Sequence, residues 1–360
     1  MSYRVVDGGA LVLEDAAEEL ADAEAIVFDC DGTLVDVSGS FKMVGKLVTI
    51  VLLDQLYGVE CRLGDDFDEA FQLLKMLGGF NNVRNVTMIL LQAIFVNAGA
   101  SKPKKRKMEK VDIEYYLNNL IRGNSRPDFA KEALRWIISM GVEKLGAYVT
   151  GDQLELLIED EAKRLGAFEQ LKEFRRLIGP IYPYGSGAFT TLFSEFWLGS
   201  EGIERRHGVK PRLYEGKGLI ENERLIVKPS VLEQLRDLAP KGLAILSGRG
   251  KWVALKALRP VLEYFRIDAS VFTGDWPRRM DKPNPVGLME CCKKLEASKI
   301  IYVGDGGEDL FLTREASKLG VKAHLAGLLT NKYSYAFFTK QRAEAILENV
   351  NFLPKLFKSP

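Results

Sequence analysis

The chain has 360 residues, and its 50 Lys and Arg balance 49 Asp and Glu to a net charge of +1. Hydrophobic residues make up 47%, enough for a sizeable core, which excludes a disordered or collagen-like chain. A neutral total gives no electrostatic reason to expect nucleic acid or an anionic membrane as the main partner. The two histidines, His207 and His324, are too few for a multi-His metal site, so acid–base chemistry falls to carboxylates and lysines.

Along the chain, two short β-like runs around Asp7-Gly8-Gly9 predict a hairpin, and an acidic helix follows over Glu14–Ala23. Ala25–Phe28 is an apolar strand that meets a turn at Asp29. From about residue 37 to 225 apolar residues recur at helical spacing, most clearly over Asp65–Leu77 and Arg84–Asn97. Glycines at 78, 99, 123, 141, 166, 179 and 199 follow these segments, as left-handed helix ends require. Ile178–Gly187 is the main break in this region.

From Lys228 the texture changes. Apolar runs at Leu243–Leu246, Ser270–Thr273, Lys299–Val303 and Val321–Leu325 alternate with helices at Ser230–Leu238, Lys251–Leu262, Pro285–Leu295 and Leu310–Leu319. This is the rhythm of a parallel sheet covered on both faces. Lys340–Leu356 reads as helix and then tail. The expected fold class is therefore α/β. A parallel-sheet core is made from 1–35 and 229–360, with 1–23 an extra hairpin and helix. An all-α insert over 36–228 interrupts it.

The cysteines, Cys30, Cys61, Cys291 and Cys292, form no C-x-x-C pair and suit a reducing cytoplasm. The N-terminus lacks the pattern of a signal peptide. Leu47–Leu53 and Val86–Val96 are too short for a membrane span, which takes roughly 20 residues.

Four runs put reactive groups at expected strand ends, where open parallel sheets carry their chemistry. They are Asp29-Cys30-Asp31-Gly32-Thr33, Ser247-Gly248-Arg249, Asp281-Lys282-Pro283, and Gly304-Asp305 through Asp309. The set suits phosphoryl transfer. Asp29 can attack phosphorus, and Asp31, two residues on, can protonate the leaving oxygen and then activate water. Two anions beside an anionic phosphate need cations. Mg²⁺ suits an all-oxygen site offered by Asp29, the Asp31 carbonyl and Asp305, with Asp309 in support. Lys282 adds a positive charge, and Ser247 with backbone N–H groups of the turns can donate to phosphate oxygens.

These runs resemble the four motifs of the haloacid dehalogenase superfamily. Asp29-Cys-Asp-Gly-Thr33 resembles the first, Leu246-Ser247-Gly248 the second, Lys282 the third and Gly304-Asp305-x-x-x-Asp309 the fourth. The resemblance covers about 24–40 and 229–330. It implies a Rossmann-like core, a covalent aspartyl-phosphate and Mg²⁺. It also implies Asp29 as nucleophile, Asp31 as general acid/base, and Asp305 and Asp309 as metal acids. Ser247 and Lys282, with Cys30 and Gly248 in the turns, would hold phosphate. The insert stands where the superfamily's C1-type helical cap belongs. Gly78-Gly-Phe80-Asn81-Asn82 falls at that cap's specificity loop, with Phe80, Asn81, Asn82 and Arg84 as candidate substrate contacts. Asn81 and Asn82 read equally well as loop residues, and Arg84 as a helix-surface residue. Residues 100–215 exceed an ordinary cap.

The expected function is a Mg²⁺-dependent phosphatase acting on a small phosphorylated metabolite in the cytoplasm. A phosphomutase would share the chemistry, and phosphonate cleavage would need a desolvated lysine in the insert. A different class, a macromolecule-binding protein, is suggested by the size of 100–215 and by Lys102-Pro-Lys-Lys-Arg-Lys107; the neutral total favours a solvated loop for that run. Tyr184-Gly-Ser-Gly187 is expected to be a linker, and Trp136, Phe193, Phe196 and Trp197 to pack in the insert's core.

Overall fold

The computed structural model describes residues 2–6, 8–80, 82–99, 102–122 and 129–357. The main sheet contains β1 (Tyr3–Val6), β2 (Ala10–Leu13), β3 (Ala25–Phe28) and then, after two short pairs described below, β8 (Leu243–Ser247), β9 (Val271–Phe272), β10 (Lys299–Gly304), β11 (Lys322–Leu328) and β12 (Ala345–Leu347). Its order is β1-β2-β12-β11-β10-β3-β8-β9. The strands from β12 to β9 pair in parallel. All four residues of β3 are buried, as a central parallel strand covered on both faces requires. Alternation then sorts its side chains. Ile26 and Phe28 join one apolar cluster with Ile245, Ile301 and Val303. Ala25 and Val27 join the other, with Leu246, Ile300 and Tyr302.

The expected hairpin forms, with Tyr3 opposite Leu13 and Val6 opposite Ala10. It extends the sheet, because β2 pairs antiparallel with β12 through Val12 and Ala345. This also corrects the expected helix at the C-terminus. Ala345-Ile346-Leu347 is a buried strand, and Val350–Phe357 is a 3₁₀ helix. The acidic segment is shorter than expected, a 3₁₀ turn at Glu14–Ala16 leading into α1 (Ala17–Ala21).

Between β3 and β8 the helices are α2 (Met43–Tyr57), α3 (Asp65–Lys75), α4 (Val83–Asn97), α5 (Ile113–Arg122), α6 (Phe129–Glu143), α7 (Gly151–Arg164), α8 (Phe168–Ile178) and α9 (Ala188–His207). They share one apolar core running from Phe41 to Ile220. Phe95 and Phe174 stack there with centroids 4.0 Å apart. Phe193 and Phe196 are buried in it, Trp197 nearly so, and Trp136 packs against it. Gly141 does not end a helix. It lies inside α6, where a Cβ would come within 2.7 Å of Leu73, so glycine lets α6 approach α3. Gly123 lies outside the described residues. Gly199 bends α9 at φ 67°; a Cβ there would come within 2.2 Å of the Gly218 backbone.

Two short strand pairs complete this region. β5 (Gly78–Gly79) pairs with β6 (Val149–Thr150). β4 (Val35–Asp36) pairs antiparallel with β7 (Arg224–Leu225), so the two connections to the sheet run side by side. After β7 come α10 (Pro229–Leu238), α11 (Lys251–Ala257), α12 (Val286–Leu295), α13 (Gly307–Lys318) and α14 (Ser334–Lys340). α11 stops short of the expected Leu262 because Pro260 forces a change to a 3₁₀ turn over Arg259–Tyr264.

Glu195, fully buried on α9, organises the way back towards β7. It accepts from Tyr184 Oη at 2.8 Å and from the backbone N–H groups of Arg212, Leu213 and Tyr214 at 2.7, 2.8 and 2.8 Å. Truncation would leave buried donors unpaired, at about 1–3 kcal/mol each. Glu195→Ala should therefore lower stability by about 3 kcal/mol or more, read as a fall in urea midpoint. An unchanged midpoint would contradict this account of the segment.

The basic run has a local role. The backbone N–H groups of Lys104 and Lys105 donate to Leu56 O at 2.7 and 3.2 Å, at the C-terminal end of α2. Positive charge is favourable there. Lys105 pairs with Glu109 and Arg106 with Glu173. No helix among the described residues is long and apolar enough to cross a membrane.

Candidate active site

The loop after β3 is wound tightly. The Cys30 carbonyl accepts from the N–H groups of Thr33, Leu34 and Val35 at 3.4, 2.9 and 2.9 Å. Gly32 adopts φ 77°, and a Cβ there would lie 2.2 Å from Asp305 Oδ2, so glycine is what lets this loop close on the end of β10. Asp29 N donates to Val303 O at 2.8 Å. These contacts put Asp29 and Asp31 on the wall of a cavity of about 520 Å³ above the strand ends.

Lys282, buried, sits at the centre of the carboxylates. Its Nζ lies 2.8 Å from Asp29 Oδ1 and 2.7 Å from Asp309 Oδ1, and 3.3 Å from Tyr302 Oη. Burial favours the neutral amine, but Asp29 and Asp309 outweigh it and hold Lys282 protonated well above its usual range. Asp309, in the first turn of α13, also accepts from Gly306 N at 3.0 Å. Asp305 accepts from Thr330 Oγ1 at 3.3 Å and pairs with Lys75 of α3 at 3.3 Å. Burial pushes the Asp29 carboxyl up to about 7, against the pull of Lys282 and with the repulsion of Asp309. It pushes Glu308 up to about 8, again with Asp309 adding.

Carboxylate oxygens of Asp29, Asp305 and Asp309 lie within 4.8 Å of one another, all buried. With Glu308 they make four acids against two ammonium groups, Lys75 and Lys282, so two negative charges remain when all are ionised. Buried charge in that amount is offset either by protons, as the raised Asp29 and Glu308 carboxyls show, or by a counter-ion. A hard dication with oxygen ligands fits both the charge and the donor set.

The Asp31 side chain takes no part in that cluster. Its Oδ1 accepts from Arg249 Nε at 2.5 Å, and Arg249 Nη1 donates to Glu223 Oε2 at 2.7 Å. Arg249 is 2% exposed, and its Nη2 is buried without a partner. Burial works against its charge, but Asp31, Cys30 and Glu223 more than restore it. Ser247, buried at the end of β8, accepts from Arg249 N at 3.1 Å, and Gly248 lines the cavity. The Cys30 thiol is in the apolar core, pushed far above its usual range by burial; what it can offer a ligand is backbone.

The insert contributes the far wall. Asn82 accepts from Arg84 N at 3.0 Å, capping α4, and also bonds Tyr182 Oη. Arg84 donates to Ser194 Oγ at 3.0 Å and Ile181 O at 3.3 Å, 4.6 Å from the Tyr182 ring centroid. Both line the cavity. Phe80 does not: it is fully buried in the helical core, so its place in the loop supplies packing. Asn81 lies outside the described residues. Tyr184, in the expected linker, also lines the cavity and stacks on His207 at 4.4 Å.

The sequence motifs assign no role to Arg249, Lys75, Glu223 or Tyr302. Arg249 had a signal, since it follows Ser247-Gly248 directly. Lys75, Glu223 and Tyr302 had none, because only the fold brings them in. Lys75 is a lysine of the insert that reaches the cavity, and burial is outweighed by Asp305 and Glu308, which hold it protonated above its usual range. A protonated amine does not suit the nucleophile that phosphonate cleavage would need.

No family model matches the sequence, and a search of curated proteins finds no match. Solved structures do match. A Northeast Structural Genomics Consortium target is 17% identical with TM-score 0.51, over 92% of this chain and 97% of that one. Phosphatase Tt82 from Thermococcus thioreducens is 18% identical with TM-score 0.50, over 93% and 100%. A protein from Bacteroides fragilis described as haloacid dehalogenase-like is 14% identical with TM-score 0.43, over 92% and 99%. The four runs stand at one end of the parallel strands, and the chain shares the α/β fold of the first two of these structures.

Proposed function

We propose that the chain is a Mg²⁺-dependent phosphatase that hydrolyses a small phosphomonoester through a covalent aspartyl-phosphate on Asp29. The observation that carries this reading is the buried cluster of Asp29, Asp305, Asp309 and Lys282 beside the cavity that Asp29, Asp31 and Asp305 line. The description of the Thermococcus protein as a phosphatase accords with it. Residues 1–35 and 229–360 serve as the catalytic core and 36–228 as the cap. The four cysteines are free, which suits the cytoplasm.

Asp29, the Asp31 carbonyl and Asp305, with Asp309 beside them, would hold Mg²⁺, which when bound supplies positive charge to the phosphoryl oxygens. Ser247, with backbone N–H groups of Cys30 and Gly248, donates to those oxygens, and Lys282 neutralises Asp29. An Asp29 oxygen attacks phosphorus while the bond to the leaving oxygen breaks, and Asp31 gives that oxygen its proton. Asp31 then takes a proton from water as the water oxygen attacks phosphorus. The bond to Asp29 breaks, inorganic phosphate leaves, and both side chains are restored.

The cavity's far side names the substrate more closely. Arg84, Arg206, His207 and Arg278 line it. Arg278 pairs with Asp281, and Arg206 lies 3.8 Å from Asp275. Arg84 has no carboxylate partner among the described residues, and burial, with Arg278 and Arg206 repelling it, lowers it to about 10. This environment suits an ester carrying a second anionic group. Arg84→Met should lower kcat/KM for a carboxylate-bearing alkyl phosphate by about 10–100-fold, and far less for phenyl phosphate. Equal losses would remove Arg84 from substrate recognition.

The activity itself is tested with p-nitrophenyl phosphate. Hydrolysis should vanish with EDTA and return with Mg²⁺; chelator-resistant turnover would contradict the metal assignment. Released phosphate should carry oxygen from labelled water. Unlabelled transfer to a sugar acceptor would make the protein a phosphomutase.

A further inference from the structure

The two connections between helices and sheet meet at one buried charge. Arg249 Nε holds Asp31 at 2.5 Å, and its Nη1 holds Glu223 at 2.7 Å. The Arg249 and Glu223 side chains are 1% and 2% exposed. Glu223 precedes β7, on the returning connection. Its other oxygen accepts from Ser40 Oγ at 2.8 Å, on the outgoing connection after β4, and from Trp197 Nε1 of α9 at 3.4 Å. The Arg249 guanidinium also lies 5.5 Å from the Phe41 ring and 5.9 Å from the Trp197 ring. Every contact beyond Arg249 therefore comes from the insert or its connections, and the contact before it is the proton donor.

Resting on the phosphatase reading above, we infer that Arg249 and Glu223 are positioning residues that orient Asp31 through the paired connections. Arg249 fixes one Asp31 oxygen, leaving the other free to face the ester. A guanidinium held by a single carboxylate can turn about its long stem; a second carboxylate, itself anchored by Ser40 and Trp197, fixes its plane. Glu223 has no surface role, because its side chain is 2% exposed; burial raises it even with Arg249 opposing. Its charge partner inside the fold is Arg249, and through it Asp31. The orientation of Asp31 thus depends on the insert being seated on the sheet.

Leaving-group chemistry separates this role from simple structural support. In the first step the ester P–O bond breaks, the Asp29–O–P bond forms, and the Asp31 proton goes to the departing oxygen. An alkoxide needs that proton, whereas p-nitrophenolate leaves well without it. Misplacing Asp31 should therefore affect alkyl esters most, and kcat/KM reports this step.

The experiment compares kcat/KM for an alkyl phosphate and p-nitrophenyl phosphate in the full-length protein, in Glu223→Gln, Arg249→Lys, Ser40→Ala and Asp31→Asn. Glu223→Gln and Arg249→Lys should lose about 10²-fold on the alkyl ester and at least ten times less on the aryl ester. Ser40→Ala should show the same skew in smaller measure and is the variant least able to disturb folding. Adding Glu223→Gln to Asp31→Asn should produce no further skew. Equal losses on both esters in variants with unchanged thermal midpoints would overturn the inference and leave the phosphatase reading intact. A wild type inactive on both esters would overturn both.

Discussion

Asp29→Asn should abolish phosphatase turnover, by about 10³-fold or more, without unfolding the protein. The amide is the size of the carboxylate but cannot attack phosphorus. Its effect on stability has the opposite sign. Burial raises the Asp29 carboxyl from an ordinary 3.8 to about 7, so folding favours its protonated form. Stability from this group is full below the unfolded value and is lost as pH rises towards the folded one. At pH 7 and above the ionised group is a cost that asparagine removes. Thermal unfolding of metal-free protein should therefore show an unchanged or raised midpoint in Asp29→Asn at pH 8. The combination of lost turnover and retained stability marks a residue kept for chemistry. A variant that unfolds would show Asp29 to be structural.

Asp31→Asn should cost about 10²–10⁴-fold in turnover. Steady-state kcat on every ester should fall, because the second half of the reaction needs a base for water whatever group has left. The first half should reveal the acid. A burst of p-nitrophenol, equal to the enzyme present, should precede the slowed steady state, since phosphorylation by this ester needs no proton from Asp31. Stopped-flow absorbance at the nitrophenol band measures it. A slow reaction without a burst on the aryl ester would place Asp31 outside the acid–base role.

Much of this site could be read from the sequence because its motifs are local. Asp29 and Asp31 sit two residues apart after an apolar strand, and Asp305 and Asp309 flank a strand-to-helix turn; strand ends in a parallel sheet converge by geometry. The strand positions followed for the same reason, and the structure places them within a few residues of Leu243, Lys299 and Val321. What escaped depends on contacts between distant segments. Lys75 meets Asp305 across 230 positions, and Arg249 reaches Asp31 across 218. Glu223 stands in a connection whose only sequence signal was composition. The C-terminal strand was missed because three apolar residues, Ala345–Leu347, fit a helix as well as a strand; their pairing between β11 and β2 decides it. Phe80 was misassigned because position in a loop says nothing about which way a side chain faces.

The central claim is a covalent phosphoryl group on Asp29. The stereochemical course at phosphorus tests it most directly, using an ester of chiral, oxygen-isotope-labelled thiophosphate. Transfer to Asp29 and then to water inverts the centre twice, so the product should retain configuration. Net inversion would mean that water attacks the ester directly, and Asp29 would then have no covalent role.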